Sequence, residues 1–159
     1  MFTKALAFED VLLRPQHSNI VTRSDIDLSV EMPNDGFILR LPIFASPMDS
    51  IMNSVMGSRV WEAGGAGILH RYQSIDQQCA EVVATTGKVL AAVGVTGDYL
   101  ERAAALCDAG ALGICVDVAH GHHDQVGRAV EKLRKLSPNT HLMAGNVATL
   151  EGFNFLADC

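Results

Sequence analysis

The sequence predicts an α/β fold, an incomplete (β/α)8 barrel with about five of its eight strand-helix units, on three observations. Apolar runs recur at near-regular intervals, each followed by a stretch with helical periodicity. The runs are apolar throughout and do not alternate, as expected of parallel strands covered on both faces. Two segments also echo one another: Glu62-Ala63-Gly64-Gly65-Ala66-Gly67-Ile68 and Asp108-Ala109-Gly110-Ala111-Leu112-Gly113-Ile114 share acid-Ala-Gly-x-x-Gly-Ile where a helix hands over to the next strand. A glycine at that point suits a left-handed helix C-cap. A closed barrel takes about 250 residues, and the chain has 159. An open three-layer sheet is the competing architecture.

Residues 1–40 lack the repeat. Pro15, Pro33 and Asn34-Asp35-Gly36 mark turns between short extended pieces such as Ile26 to Val30, so this stretch is expected to be a lead-in that caps the barrel floor. Residues 41–159 form units one to five. The predicted strands are Leu41 to Ser46, Ala66 to His70, Val89 to Val95, Leu112 to Val118 and His141 to Val147. The first helix is expected from Asp49-Ser50 to Ala63. Ser74 opens the second, with Gln77 completing a capping box. The third runs from about Asp98 to Ala109 and ends at Gly110. The fourth carries Val126, Val130, Leu133 and Leu136 on one face, and Pro138 forbids its continuation. The fifth begins after Thr149 and is cut short, so the last residues, Leu156 to Cys159, are expected to fall inside a repeat.

Composition narrows the function classes. The chain is 48% apolar and 19% charged with a formal charge of -6, and it has no apolar stretch of membrane-spanning length. Glu9 and Asp10 stand where a signal peptide would continue its apolar region, so a cytoplasmic location is expected. Binding of nucleic acid needs clustered Lys and Arg, and the one basic cluster is Lys132, Arg134 and Lys135. No nucleic-acid or membrane partner is therefore expected. Cys79, Cys107, Cys115 and Cys159 show no Cys-x-x-Cys pairing and read as reduced.

In such a barrel the chemistry sits where strands end and loops into helices begin. The candidates are Ser46-Pro47-Met48-Asp49, His70-Arg71-Tyr72, Thr96-Gly97-Asp98, Asp117-Val118-Ala119-His120-Gly121 and Gly145-Asn146-Val147-Ala148-Thr149. An acid directly after an apolar strand, as at Asp117, grips a ligand hydroxyl or serves the start of a helix. Arg71 suits a phosphate or a neighbouring carboxylate equally. His120, His122 and His123 lack the spacing of a two-histidine metal face, and no metal is expected there.

Six motifs carry a resemblance: Phe8-Glu9-Asp10-Val11-Leu12-Leu13-Arg14-Pro15, Thr22-Arg23-Ser24-Asp25-Ile26-Asp27-Leu28, Ser46-Pro47-Met48-Asp49, Gly67-Ile68-Leu69-His70-Arg71, Asp117-Val118-Ala119-His120-Gly121 and Ala144-Gly145-Asn146-Val147-Ala148-Thr149. Together they closely resemble the IMP dehydrogenase and GMP reductase family. That resemblance implies a TIM barrel that exchanges hydride between a nicotinamide cofactor and C2 of a purine nucleotide held on a cysteine. The dehydrogenase converts IMP to XMP with NAD; the reductase converts GMP to IMP with NADPH. By the same resemblance Asp117, Val118 and Ala119 contact the nicotinamide ribose side of the cofactor. Arg71 and the Thr22-Arg23 pair match positions that help bind NADPH, the pair reaching over from a neighbouring subunit. Ser46 and Met48 match positions lining the nucleotide pocket.

The family's catalytic cysteine loop, its phosphate loops and its flap follow later strands, so the resemblance places none of the catalytic residues in this chain. It implies an N-terminal portion of a purine-nucleotide oxidoreductase, completed by a C-terminal polypeptide in a homo- or hetero-oligomer, with K+ in the completed enzyme. A truncated product and a noncatalytic nucleotide-binding half-barrel are the alternatives. Dehydrogenases usually insert a CBS pair between the second helix and the third strand, and Gln78 to Lys88 leaves no room for one. Together with Leu13-Arg14-Pro15 and His70-Arg71-Tyr72-Gln73 this leans toward GMP reductase and NADPH. Gly94-Val95-Thr96-Gly97-Asp98 looks dehydrogenase-like, which keeps IMP dehydrogenase and NAD as the alternative.

Overall fold

All five strands predicted after residue 40 form, and they pair in the order in which the chain makes them. The computed structural model describes residues 5–32 and 37–159. The turn predicted at Pro33 and Asn34-Asp35-Gly36 lies outside the described residues. A short antiparallel pair comes first, β1 (Val30–Glu31) with β2 (Ile38–Leu39). Five parallel strands follow: β3 (Phe44–Ala45), β4 (Ala66–Leu69), β5 (Val89–Val93), β6 (Gly113–Asp117) and β7 (His141–Gly145), in sequential order. The helices alternate with them: α1 (Ser54–Ala63), α2 (Ile75–Ala84), α3 (Tyr99–Asp108), α4 (Asp124–Leu136) and α5 (Leu150–Ala157).

Side-chain parity separates a barrel from an open sheet. Leu69, Val89, Ala91, Val93, Ile114 and Val116 pack with Val82 of α2, Ala103 and Leu106 of α3, and Val126, Val130 and Leu133 of α4. Ala66, Ile68, Leu90, Ala92 and Cys115 form a second cluster whose other buried member is Leu39, with Met32 and Phe37 packed alongside. One face of the sheet therefore carries the helices and the other carries none of them. A doubly wound sheet reverses its strand order and has helices on both faces. Sequential order with helices on a single face gives a curled half-barrel, an incomplete TIM barrel. Each fully buried Leu or Val in these clusters contributes about 1.5–3 kcal/mol.

Phe37 stacks on Trp61 at 5.5 Å and lies 6.5 Å from the His141 ring, at the end of the sheet where β7 begins. Residues 5–30 are exposed. Of the extended piece expected at Ile26 to Val30, only Val30 pairs.

Several boundaries differ from expectation for local reasons. The first helix starts at Ser54 and not after Ser50, because the Asn53 side chain accepts from the Met56 N–H at 2.9 Å and the Glu81 carboxylate of α2 accepts from the Ser54 N–H. Both satisfy orphan donors of a helix N-terminus. The preceding residues turn instead, and Met52 goes inward as a plug. Leu136, expected on the buried face of α4, is exposed. Ten residues past Val126 at 3.6 residues per turn, it has drifted about 80° from that stripe. The third helix is one residue shorter at each end than expected, and Gly110 has the left-handed backbone foreseen for it, as does Gly64 after α1.

Candidate functional site

Parallel strands deliver all their C-terminal ends to one edge, so the loops after β3 to β7 share a rim. The structure brings Ser46, Met48, Arg71, Asp117, Val118 and Ala119 to that rim. Thr22 and Arg23 belong to none of those loops. They lie on an exposed 3-10 turn of the N-terminal segment, where Thr22 bonds to Ser24 and Asp25 within the turn.

Asp117 ends β6 and pairs with Gly145. Two residues past Cys115, it shares the inward parity of that side chain, so it stands at the mouth of the half-barrel. No hydrogen bond or ion pair holds its carboxylate among the described residues. Val118 turns its side chain toward the helix layer and uses its backbone instead. Its N–H donates to the Gly145 carbonyl at 3.1 Å, and its carbonyl accepts from the Asn146 N–H at 2.7 Å. The Gly121 N–H then donates to the Asn146 carbonyl at 2.6 Å. A Cβ on Gly121 would stand 2.9 Å from that carbonyl, so the close approach of the two loops needs glycine there. Ala119 and His120 are exposed, and His123 caps α4 by accepting from the Gln125 N–H. Thr149 caps α5 in the same way, accepting from the Gly152 N–H at 3.0 Å.

Arg71 follows β4 and lies across the neighbouring strand end. Its guanidinium carbon sits 3.6 Å from where a Cβ on Gly94 would be, and 5.0 Å from the Tyr72 ring centre. Its Nε is buried with no hydrogen-bond partner among the described residues. Of its two expected roles, the local ion pair with a carboxylate is not formed among those residues. Ser46 and Met48 are exposed after β3, joined by a bond from the Met48 N–H to the Ser46 carbonyl at 2.8 Å.

None of the four cysteines is on the rim. Cys115 lies within β6, and burial, reinforced by the charge of Asp117, pushes its thiol up to about 12. Burial likewise raises Cys79 and Cys159. A buried thiol held in its protonated form is a poor nucleophile.

Sequence reasoning missed the polar network beneath the rim. Gln78 of α2 is fully buried and Arg102 of α3 nearly so. Arg102 donates to Gln78 Oε1 at 2.8 Å, to the Gln73 carbonyl at 3.1 Å and to Asp98 at 3.0 Å. Asp98, a rim candidate by sequence, is therefore engaged with its own helix. The Asp98 to Arg102 spacing of four residues was the available signal.

The family model for the IMP dehydrogenase / GMP reductase domain matches residues 5–159. The chain belongs to the IMP dehydrogenase / GMP reductase family. A solved inosine 5'-monophosphate dehydrogenase from Legionella pneumophila superposes with a TM-score of 0.87 and is 39% identical, covering 98% of this chain and 48% of that one. A GMP reductase from Shewanella pealeana is 30% identical over 153 residues, 91% of this chain and 44% of the relative. An inosine-5'-monophosphate dehydrogenase from Streptococcus pyogenes is 53% identical over 70 residues, which is 44% of this chain and 14% of the relative. The chain thus spans about half the length of the relatives that cover most of it. No described helix is long and apolar enough to cross a membrane.

Proposed function

We propose that this chain supplies the cofactor side of a purine-nucleotide oxidoreductase and that its rim residues bind and orient a nicotinamide cofactor. The observation that carries this is the pair of unpartnered groups on the rim: the Asp117 carboxylate, and the buried Arg71 Nε. A carboxylate at the end of an apolar strand accepts hydrogen bonds from ribose hydroxyls, and a guanidinium meets a phosphate through paired donors. When bound, the cofactor gives or takes the hydride; the protein residues here fix its position. Ser46 and Met48 would line the nucleotide beside it. Thr22 and Arg23 would serve a neighbouring subunit. The catalytic cysteine would come from a complementary C-terminal polypeptide, and that assembly would also cover the free edges of β3 and β7. Four free cysteines suit a reducing, cytoplasmic setting.

Two reactions remain, and each has a specific observation in its favour. Oxidation of IMP with NAD is placed first. The Legionella dehydrogenase is 39% identical across nearly the whole chain, against 30% for the Shewanella reductase. Reduction of GMP with NADPH, the direction in which the missing insert leans, is the second reading. The Shewanella reductase aligns over 153 positions. The dehydrogenase of Nitrosopumilus maritimus needs 278 positions for 95% of this chain, so it carries a long stretch with no counterpart here. An insert is an architectural trait that dehydrogenases can lack, and the Legionella identity of 39%, above the 30% of the Shewanella reductase and the 23% of the Nitrosopumilus dehydrogenase, weighs toward NAD. Arg71 does not separate the two, since both cofactors carry a pyrophosphate.

Fluorescence titration of the complete enzyme with NADH and with NADPH tests the choice. The dehydrogenase reading expects tighter NADH binding that loses affinity when Arg71 is replaced by Met. Tighter binding of NADPH, weakened by Arg71→Met and flattened in its salt dependence, returns the assignment to the reductase. Equal and unchanged binding by wild type and Arg71→Met removes Arg71 from the cofactor site.

A further inference from the structure

The Arg71 guanidinium reaches its place by crossing from one strand end to the next, so its position depends on how the loops after β4 and β5 are held relative to each other. The β4–α2 loop is closed locally: the Tyr72 N–H donates to His70 Nδ1 at 3.2 Å, and Gln73 Nε2 donates to the His70 carbonyl at 3.2 Å. Those bonds fix its shape and leave its placement over Gly94 open. Placement comes from below. Gln78 Nε2 donates to the Ala92 carbonyl at 2.9 Å and lies 3.5 Å from the Leu69 carbonyl, so one amide spans the ends of β4 and β5. Arg102 fastens the same amide from the other side and reaches both loops, the first through the Gln73 carbonyl and the second through Asp98.

We propose that Gln78 and Arg102 are positioning residues, a buried clamp that sets the β4–α2 loop against β5 and so holds the Arg71 guanidinium over Gly94. The role in cofactor binding rests on the reading of Arg71 given above; the clamp itself does not. An apolar side chain of similar volume would fill the Gln78 site without the desolvation of a guanidinium. The network instead takes three loop and strand-end carbonyls and one carboxylate to fixed distances, which is geometry that packing alone does not supply. Gln78 touches neither nucleotide nor cofactor in this arrangement, so its effect passes through Arg71.

Hydrogen exchange in this chain, compared with Gln78→Leu, tests the clamp without any ligand. Amides of residues 71–74 and 95–98 are expected to exchange about tenfold faster in the variant, while those of β6 and α4 keep their rates. Arg102→Lys, which retains a charge beside Asp98 and loses the fork, should do the same, and it stands in should Gln78→Leu not fold. Unchanged loop rates, or acceleration throughout the sheet, would overturn the proposal, the latter because it makes Gln78 an ordinary core residue. A double-mutant cycle on cofactor binding in the complete enzyme gives the second readout. Gln78→Leu should weaken NADH or NADPH about as much as Arg71→Met, and the double variant should be no weaker than Arg71→Met alone. Additive losses contradict the coupling. If wild type binds neither cofactor, the reading of Arg71 fails while the exchange result still decides the clamp.

Discussion

Asp117 and Cys115 stand two residues apart on the same inward face of β6, and their chemistry is opposite. The carboxylate is at the mouth with no hydrogen-bond or ion-pair partner among the described residues, so replacing it removes acceptors that no described protein group uses. Asp117→Ala in the complete enzyme is expected to weaken the cofactor by about one to two orders of magnitude, since hydrogen bonds to charged groups contribute roughly 1.5–3 kcal/mol. Nucleotide affinity should change far less. Equilibrium titration of both ligands checks this, and an unchanged cofactor constant assigns Asp117 to the start of the loop alone. Cys115 is held neutral by burial, its thiol raised from an ordinary 9.0 to about 12. The folded state therefore keeps a proton that the unfolded chain gives up above pH 9. The stability this thiol contributes is complete below pH 9 and is lost as pH rises toward 12, at about 1.4 kcal/mol per pH unit for one proton. Urea unfolding at pH 8 to 10.5 should show the gap between wild type and Cys115→Ala closing across that window. A constant gap would mean that the thiol ionises as readily folded as unfolded.

At the scale of elements, the starts of the helices were the most legible part of the sequence. Ser74 accepts from the Gln77 N–H, and Gln77 Oε1 accepts from the Ser74 N–H in return, both at 3.1 Å. Ser74→Ala is expected to destabilise the chain by about 1 kcal/mol in urea unfolding. The echoed acid-Ala-Gly-x-x-Gly-Ile motif was legible as a helix-to-strand turn, and Gly64 and Gly110 both adopt positive φ there. Its consequence for packing was not legible. Ile68 faces the barrel interior while Ile114 faces the helices. The same seven-residue pattern puts the same side chain on opposite faces, because facing depends on the stagger between strands and not on local sequence. Gly87 could not be singled out either, since its constraint is a residue far away in the chain. Its φ is +103°, and a Cβ there would fall 2.0 Å from Trp61 Cδ1. Gly87→Ala should cost more than about 2 kcal/mol and disturb the stack of Trp61 on Phe37, which calorimetry and near-ultraviolet dichroism would both register.

At the scale of the whole molecule, the fold and the family could be read from the rhythm of apolar runs and from six motifs, because parallel strands and glycine turns leave local marks. The clamp of Gln78 and Arg102 left only the four-residue spacing of Asp98 and Arg102, the rest being assembled from two helices and three carbonyls that the sequence does not place together. The same holds for the crossing of Arg71 to Gly94. The chain presents one rim, to which the proposed reading gives cofactor binding, in a sheet whose outer strands β3 and β7 each have a single neighbour among the described residues. On the proposed reading, this rim works only when the family's remaining strands join it. The direct test combines this chain with a polypeptide carrying the family's remaining strands and cysteine loop, confirms the complex by light scattering, and assays IMP with NAD and GMP with NADPH. The expected result is no turnover by this chain alone and XMP formation by the complex. A complex that assembles and transfers hydride in neither assay, or turnover by the chain alone, would overturn that reading.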